Sequence, residues 1–258
     1  MESFKGKNVT KLVAQQYDNQ KLRGQEGFGL YDPTRNHLVR NTKEKRILNW
    51  LGKHKSSSIL FHHRFPTSTD NVKNACHPFS TKDFFKTNYV LVHNGHISNS
   101  YSLKREHEKL GIKYHSVQSN GRFNDSEALL WDVALYLEGQ QSELKAEGNI
   151  AFICLAQPKD GRKTRKLYFG RNTNPLNLHF SKQTLMLSSE GPGEATEAHQ
   201  LYEYNYRTKK LTHQPLDIPI YRPVTSTTTY GSDYSTYPWD NYGNYSASRW
   251  EDDDVEPE

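Results

Sequence analysis

The chain has 258 residues, 34% of them hydrophobic, a net charge of +5 and two cysteines. That length gives one large domain or two small ones. Two cysteines exclude both a disulfide framework and a cysteine-rich zinc site, and no apolar run approaches the ~18 residues of a membrane span. The N-terminus MESFKGKNVTK has no apolar h-region, so secretion is not expected and a reducing cytoplasm is the expected compartment.

In chain order, residues 9–22 read as a helix, with Leu12, Val13, Gln16 and Asn19 at helical spacing. GFGLYD (27–32) reads as a strand closed by Asp-Pro. Residues 42–51 read as a helix capped by Thr42, with Ile47, Leu48 and Leu51 inward. SSSILFHHR (56–64) is a strand. Residues 88–92 form another, which stops at His93-Asn94-Gly95. That Asn-Gly pair has two readings. One is a turn, since both residues tolerate φ > 0. The other is an oxyanion hole, with an Asn side chain and a Gly backbone N–H aimed at one point. Residues 99–110 read as a helix capped by Asn99, and 125–141 as a strong helix with Ala128, Leu129, Trp131, Leu135 and Leu137 largely on one side. NIAFICLAQ (149–157) reads as a strand buried on both faces. Further strands are expected at 165–170, 176–180, 184–188 and 200–207, with Arg162, Lys163, Arg165 and Lys166 at a hairpin loop. Sheets with helices packed outside follow from this order.

Charge is unevenly placed. From Tyr221 on, Arg222 and Arg249 stand against eight acidic residues, which leaves −6 there and +11 over residues 1–220. The lysines are scattered, and no helix-turn-helix, RNP-like stretch or zinc site accompanies them, so nucleic acid is not the expected partner. The segment 221–258 lacks Leu, Ile and Met and is rich in Tyr, Ser and acidic residues. It cannot bury enough surface to offset chain ordering and is expected to be disordered. Residues 1–220 are expected to form the domain.

Four stretches carry chemistry: HHRFPTSTDNVKNACHPF (62–79), VHNGHISN (92–99), NDSEALL (124–130), and RNTNPLNL (171–178) followed by SSE (188–190). Together with LRGQEGFGLYD (22–32), their order resembles the class II glutamine amidotransferase domain of the Ntn hydrolases, over roughly residues 9–207. A single HNG is weak; five motifs in order are not. The resemblance implies an α+β fold, the four-layer αββα sandwich of two antiparallel sheets between helices, less one strand. It also implies glutamine as substrate, hydrolysed to glutamate and ammonia for a separate acceptor enzyme. A zwitterion needs a bidentate arginine and a carboxylate. By resemblance Arg64 takes the α-carboxylate, Asp125 the α-ammonium, and Asn94 with Gly95 the oxyanion. Thr67, with Phe65 and Thr69, lies in the stretch folding over glutamine, and His77-Pro78 is structural. On the residues alone, Asp125 also reads as a helix N-cap and Arg64 as a surface ion pair.

The family's nucleophile is an N-terminal cysteine opening the first strand, and this sequence has no Cys-Gly there. Cys154 reads as a buried inert thiol. Cys76 and His77 are adjacent on a strand and point to opposite faces, a poor dyad. The chain as written is therefore expected to hydrolyse no glutamine. Either a preceding segment supplies the nucleophile, or the protein is a pseudo-amidotransferase serving as a binding or structural module. No metal or organic cofactor is implied.

Overall fold

The computed structural model describes residues 2–3, 8–21, 24–160, 164–181 and 184–220. The 221–258 segment expected to be disordered, Arg23 of the expected Arg-Gly turn, and Arg162 and Lys163 lie outside them.

Four layers stack. The outer pair of helices is α1 (Thr10–Gln20) and α2 (Lys45–Lys53). Beneath it lie β2 (Gly27–Asp32), β3 (His37–Asn41) and β4 (Leu60–Arg64), in the order β3-β2-β4. A second small sheet has the order β1-β10-β9-β11, from β1 (Glu2–Ser3), β9 (Asn177–Phe180), β10 (Thr184–Ser188) and β11 (Glu194–Ala195). The third layer is a six-stranded sheet, β13-β12-β8-β7-β6-β5. Its members are β5 (Phe79–Ser80), β6 (Thr87–Ile97), β7 (Gly148–Pro158), β8 (Lys166–Arg171), β12 (Gln200–Asn205) and β13 (Lys210–Pro215). Helices α3 (Ser100–Lys109) and α4 (Asp125–Leu137) cover its far face. All pairings among these strands are antiparallel. This is the expected αββα sandwich.

Strand alternation builds the layers. On β7, Ile150, Phe152 and Cys154 pack with α4, while Ala151 and Leu155 face the small sheets. The 149–157 strand is thus buried on both faces, as a near-continuous apolar run requires. On β2, Phe28 and Leu30 meet α1 and α2, and Tyr31 faces the six-stranded sheet. Gly29 on that face lets the chain at His77 approach, since a Cβ there would lie 1.7 Å from the His77 carbonyl oxygen.

Several expectations are corrected. β6 does not stop at His93. It runs to Ile97, with Asn94 opposite Ala151 and Gly95 opposite Ile150, so Asn-Gly is no turn. The eleven-residue ladder with β7 outweighs the local turn preference. β3, β5, β11 and β13 were not expected from their short or polar sequences. Helix α1 buries Val9, Val13 and Tyr17, leaving Leu12 exposed. Helix α2 starts at Lys45 without the Thr42 cap and turns Trp50, not Leu48, inward with Ile47 and Leu51. Helix α4 ends at Leu137 and is buried on every side from Asp125 to Leu135, because it lies between a sheet and α3 rather than on the surface. The Asn99 side chain does not cap α3; it bonds the Lys145 carbonyl and the Glu147 N–H. The first strand is not wholly absent either: Glu2 and Ser3 pair with Leu185 and Thr184.

Candidate functional site

A cavity of about 320 Å³ opens between the layers, and Arg64, Thr67, Asn94, Gly95 and Asp125 all line it. They come from the end of β4, the following loop, the middle of β6 and the first turn of α4. The cavity also runs between the edges of β4 and β10, under Val13 and Gln16 of α1. Among the described residues β4 pairs only with β2, and β1 covers two residues of the β10 edge.

Arg64 is buried, not a surface ion pair. Its guanidinium donates to Thr69 Oγ1 at 2.5 Å and to the carbonyls of Thr69 and Asp70 at 3.3 Å. Burial pulls its pKa down, opposed by the charges of Cys76 and Asp125. The loop after β4 is therefore folded over the arginine, with Thr67 exposed at the cavity rim.

Asp125 is not the helix cap. Asn124 takes that position and accepts from the Ser126 N–H, which frees the Asp125 carboxylate. Its Oδ2 accepts from the Ile97 N–H at 2.7 Å and lies 3.2 Å from His96 Nδ1; its Oδ1 accepts from Ser68 Oγ at 3.1 Å. Burial would raise its pKa, but the His96 contact, the nearby His93 and the Ile97 N–H hold it below the ordinary carboxylate value. The same contact raises the His96 pKa.

Asn94 shares the inter-sheet face of β6 with Val90 and Val92. Its carbonyl accepts from Asn174 Nδ2 at 2.8 Å, while its own amide nitrogen is buried without a hydrogen-bond partner among the described residues. Gly95 has φ +145°, and a Cβ there would sit 1.7 Å from the Asn149 carbonyl oxygen. Behind them stands a group of neutral histidines. His62 Nε2 lies 3.0 Å from the His93 carbonyl, and the His62 and His77 rings are 4.0 Å apart. His93 Nδ1 is 2.9 Å from Ser126 Oγ. Burial pushes His62 down to about 3, His93 to about 4, and His77 well below its ordinary value. Neither cysteine lines the cavity as described. Cys76 donates weakly to the Asn41 and Val72 carbonyls, and burial raises the pKa of both thiols.

No protein-family profile matches the sequence, and no curated protein does. Solved structures do. The structure of the allosteric regulatory enzyme of purine biosynthesis superposes with a TM-score of 0.55 at 15% identity over 83% of this chain. Glutamine phosphoribosylpyrophosphate amidotransferase from B. subtilis, complexed with ADP and GMP, gives 0.54 at 15% identity, again over 83%. The chain has the fold of a glutamine amidotransferase domain. It spans about half the length of these two enzymes, 48% of each. A class-II glutamine aminotransferase domain protein from Silicibacter pomeroyi matches at 0.46 and 16% identity, over 74% of this chain and 90% of that one.

Within this amidotransferase fold, sequence reasoning missed Ser68 and His96, which hold Asp125. It placed Thr69 in the stretch folding over the site but not its bond to Arg64. Ser68 stands in a polar loop where any hydroxyl looks alike. His96 gives no signal until α4 brings Asp125 beside it. Among the described residues no cluster of His, Cys, Asp or Glu could hold a metal, and no helix is long and apolar enough to cross a membrane.

Proposed function

We propose that residues 9–207 form a glutamine site of the class II amidotransferase kind, in which Arg64 and Thr67 receive the α-carboxylate and Asp125 the α-ammonium. Asn94 and the Gly95 N–H receive the developing oxyanion. The observation that carries this reading is the Asn94 amide: a buried donor without a partner among the described residues, on the cavity wall. Such a group costs about 1–3 kcal/mol unless something is built to use it. An oxyanion would, and the loss of one such donor costs about 3 kcal/mol of barrier.

The reaction also needs a thiolate that attacks the glutamine Cδ and expels ammonia, leaving a thioester that water cleaves to glutamate. Cys76 and Cys154 are buried with raised pKa values, away from the Asn94 amide. This reading therefore needs a nucleophile other than the two described cysteines. Ammonia would pass to a separate acceptor synthase. A second reading, a pseudo-amidotransferase that binds without hydrolysing, is favoured by the internal partners already held by Arg64 and Asp125.

Millimolar L-glutamine is expected to raise the melting temperature of the chain, and Arg64→Ala and Asp125→Ala each to abolish the rise, as read by differential scanning fluorimetry. A rise that survives both substitutions would overturn the assignment. Pure protein starting at Met1 is expected to release no ammonia from glutamine. Release would mean that a nucleophile within the chain suffices.

A further inference from the structure

The Asp125 carboxylate is already held by an imidazole of the chain's own. His96 Nδ1 lies 3.2 Å from Oδ2, while the Ile97 N–H and Ser68 Oγ take two further acceptor positions. The two partners differ in freedom: the Asp125 side chain is 6% exposed and that of His96 58%. The imidazole can therefore leave, and the carboxylate cannot. Resting on the glutamine-site reading, we infer that His96 is the internal competitor for the α-ammonium of the ligand, so that an amino acid binding at Asp125 displaces His96 and expels its proton.

Two cations cannot share one buried oxygen, so protonated His96 must move out or lose its proton. Among the described charged and titratable neighbours, His96 is the group that titrates. On its own strand nearby His93 stays neutral, held down to about 4 by burial. Across the ladder β7 presents Asn149, which is uncharged. From α4 comes Asp125, held ionised, and from β4 Arg64, whose positive charge acts on Asp125. The His96–Asp125 contact raises the His96 pKa. Imidazolium therefore fills the site below that raised value and releases it above. Affinity for the amino acid should rise with pH, by at most about tenfold per unit for one linked proton.

The test is calorimetric titration of L-glutamine into the full chain at pH 7.0 and 8.0, each in two buffers of different ionisation enthalpy. At pH 7.0, above the ordinary histidine value near 6.5, displaced His96 should lose its proton, so protons should be released on binding, and Kd should fall on going to pH 8.0. His96→Gln should bind with a Kd that no longer changes with pH and should release no proton. A merely structural His96 would leave proton release and pH dependence unchanged in that variant, which would overturn the inference while leaving the glutamine site standing. Absence of glutamine binding at both pH values in the unaltered chain would overturn the glutamine site itself, and the inference with it.

Discussion

Lowering the pH from 7 to about 5.5 is expected to unfold the domain, with uptake of several protons by histidine. Burial pushes His62 to about 3 and His63, His93 and His107 to about 4, and His77 falls well below its ordinary value. An unfolded histidine titrates near 6.5. Between that value and the folded one, the unfolded chain binds more protons than the native one, so stability present above pH 6.5 is lost as pH falls. Each histidine contributes about 1.4 kcal/mol per pH unit in that window, and five act together. One unit of acidification therefore removes about 7 kcal/mol, against a total stability of about 5–15 kcal/mol for a typical domain.

Other groups modify the balance without reversing it. Asp132 has its pKa raised to about 6 by burial, so the native state takes up a proton there and gains as pH falls through 6. His96, its pKa raised by the Asp125 contact, also gains as pH falls. That is two groups against five. Asp125 and Glu127, held ionised by their partners, lose their contribution only below the ordinary carboxylate range. An acid titration followed by tryptophan fluorescence and circular dichroism should place the midpoint between pH 5 and 6. A native signal that persists to pH 4 would show that the histidines are not held neutral.

The second large effect concerns Gly95. Changing it to alanine should destabilise the domain by about 4 kcal/mol, lowering the melting temperature by about 10 °C in a chain of this size. Two costs combine. The backbone stands at φ +145°, a conformation that non-glycine residues rarely adopt, and the new Cβ would sit 1.7 Å from the Asn149 carbonyl oxygen. That oxygen is backbone, so β6 and β7 would have to separate at the centre of the six-stranded sheet. Gly111→Ala provides the control: its φ is +81°, but nothing lies within 4 Å of the added Cβ. Only the conformational cost of about 1–2 kcal/mol remains there. Melting curves of the two variants decide the point. Equal shifts would mean that the Asn149 contact plays no part and that the kink at Gly95 relaxes freely.

Gly95 also shows how a motif can be misread as local structure. The Asn-Gly pair was expected either as a turn or as the two oxyanion donors, just beyond a strand that ended before it. The strand in fact passes through the pair, and the kink at Gly95 lies within an antiparallel ladder. Local preference favours a turn; eleven cross-strand pairs with residues 148–158 decide otherwise. Similarly, Arg64 looked like a surface cation and is buried, because Gly24 and Gly27 let two backbone segments close over it. A Cβ at Gly24 would come within 2.4 Å of the Arg64 carbonyl carbon.

The sequence by itself determined the strongly patterned elements and the type of fold. Residues 27–32 and 184–188 form strands at the expected bounds, since turn-forming or polar residues delimit compact β-rich runs. The run at 149–157 declared burial on both faces, and the ordered motifs around Arg64, Asn94 and Asp125 pointed to one kind of site. Only the tertiary structure decided what those side chains touch. Asp125 became a carboxylate held by Ile97, Ser68 and His96 rather than a helix cap, because Asn124 took the capping role. The cavity between β4 and β10 likewise belongs to no local stretch of sequence. Its lining comes from both strands, far apart along the chain, and which segments meet in space is decided by the packing of the layers.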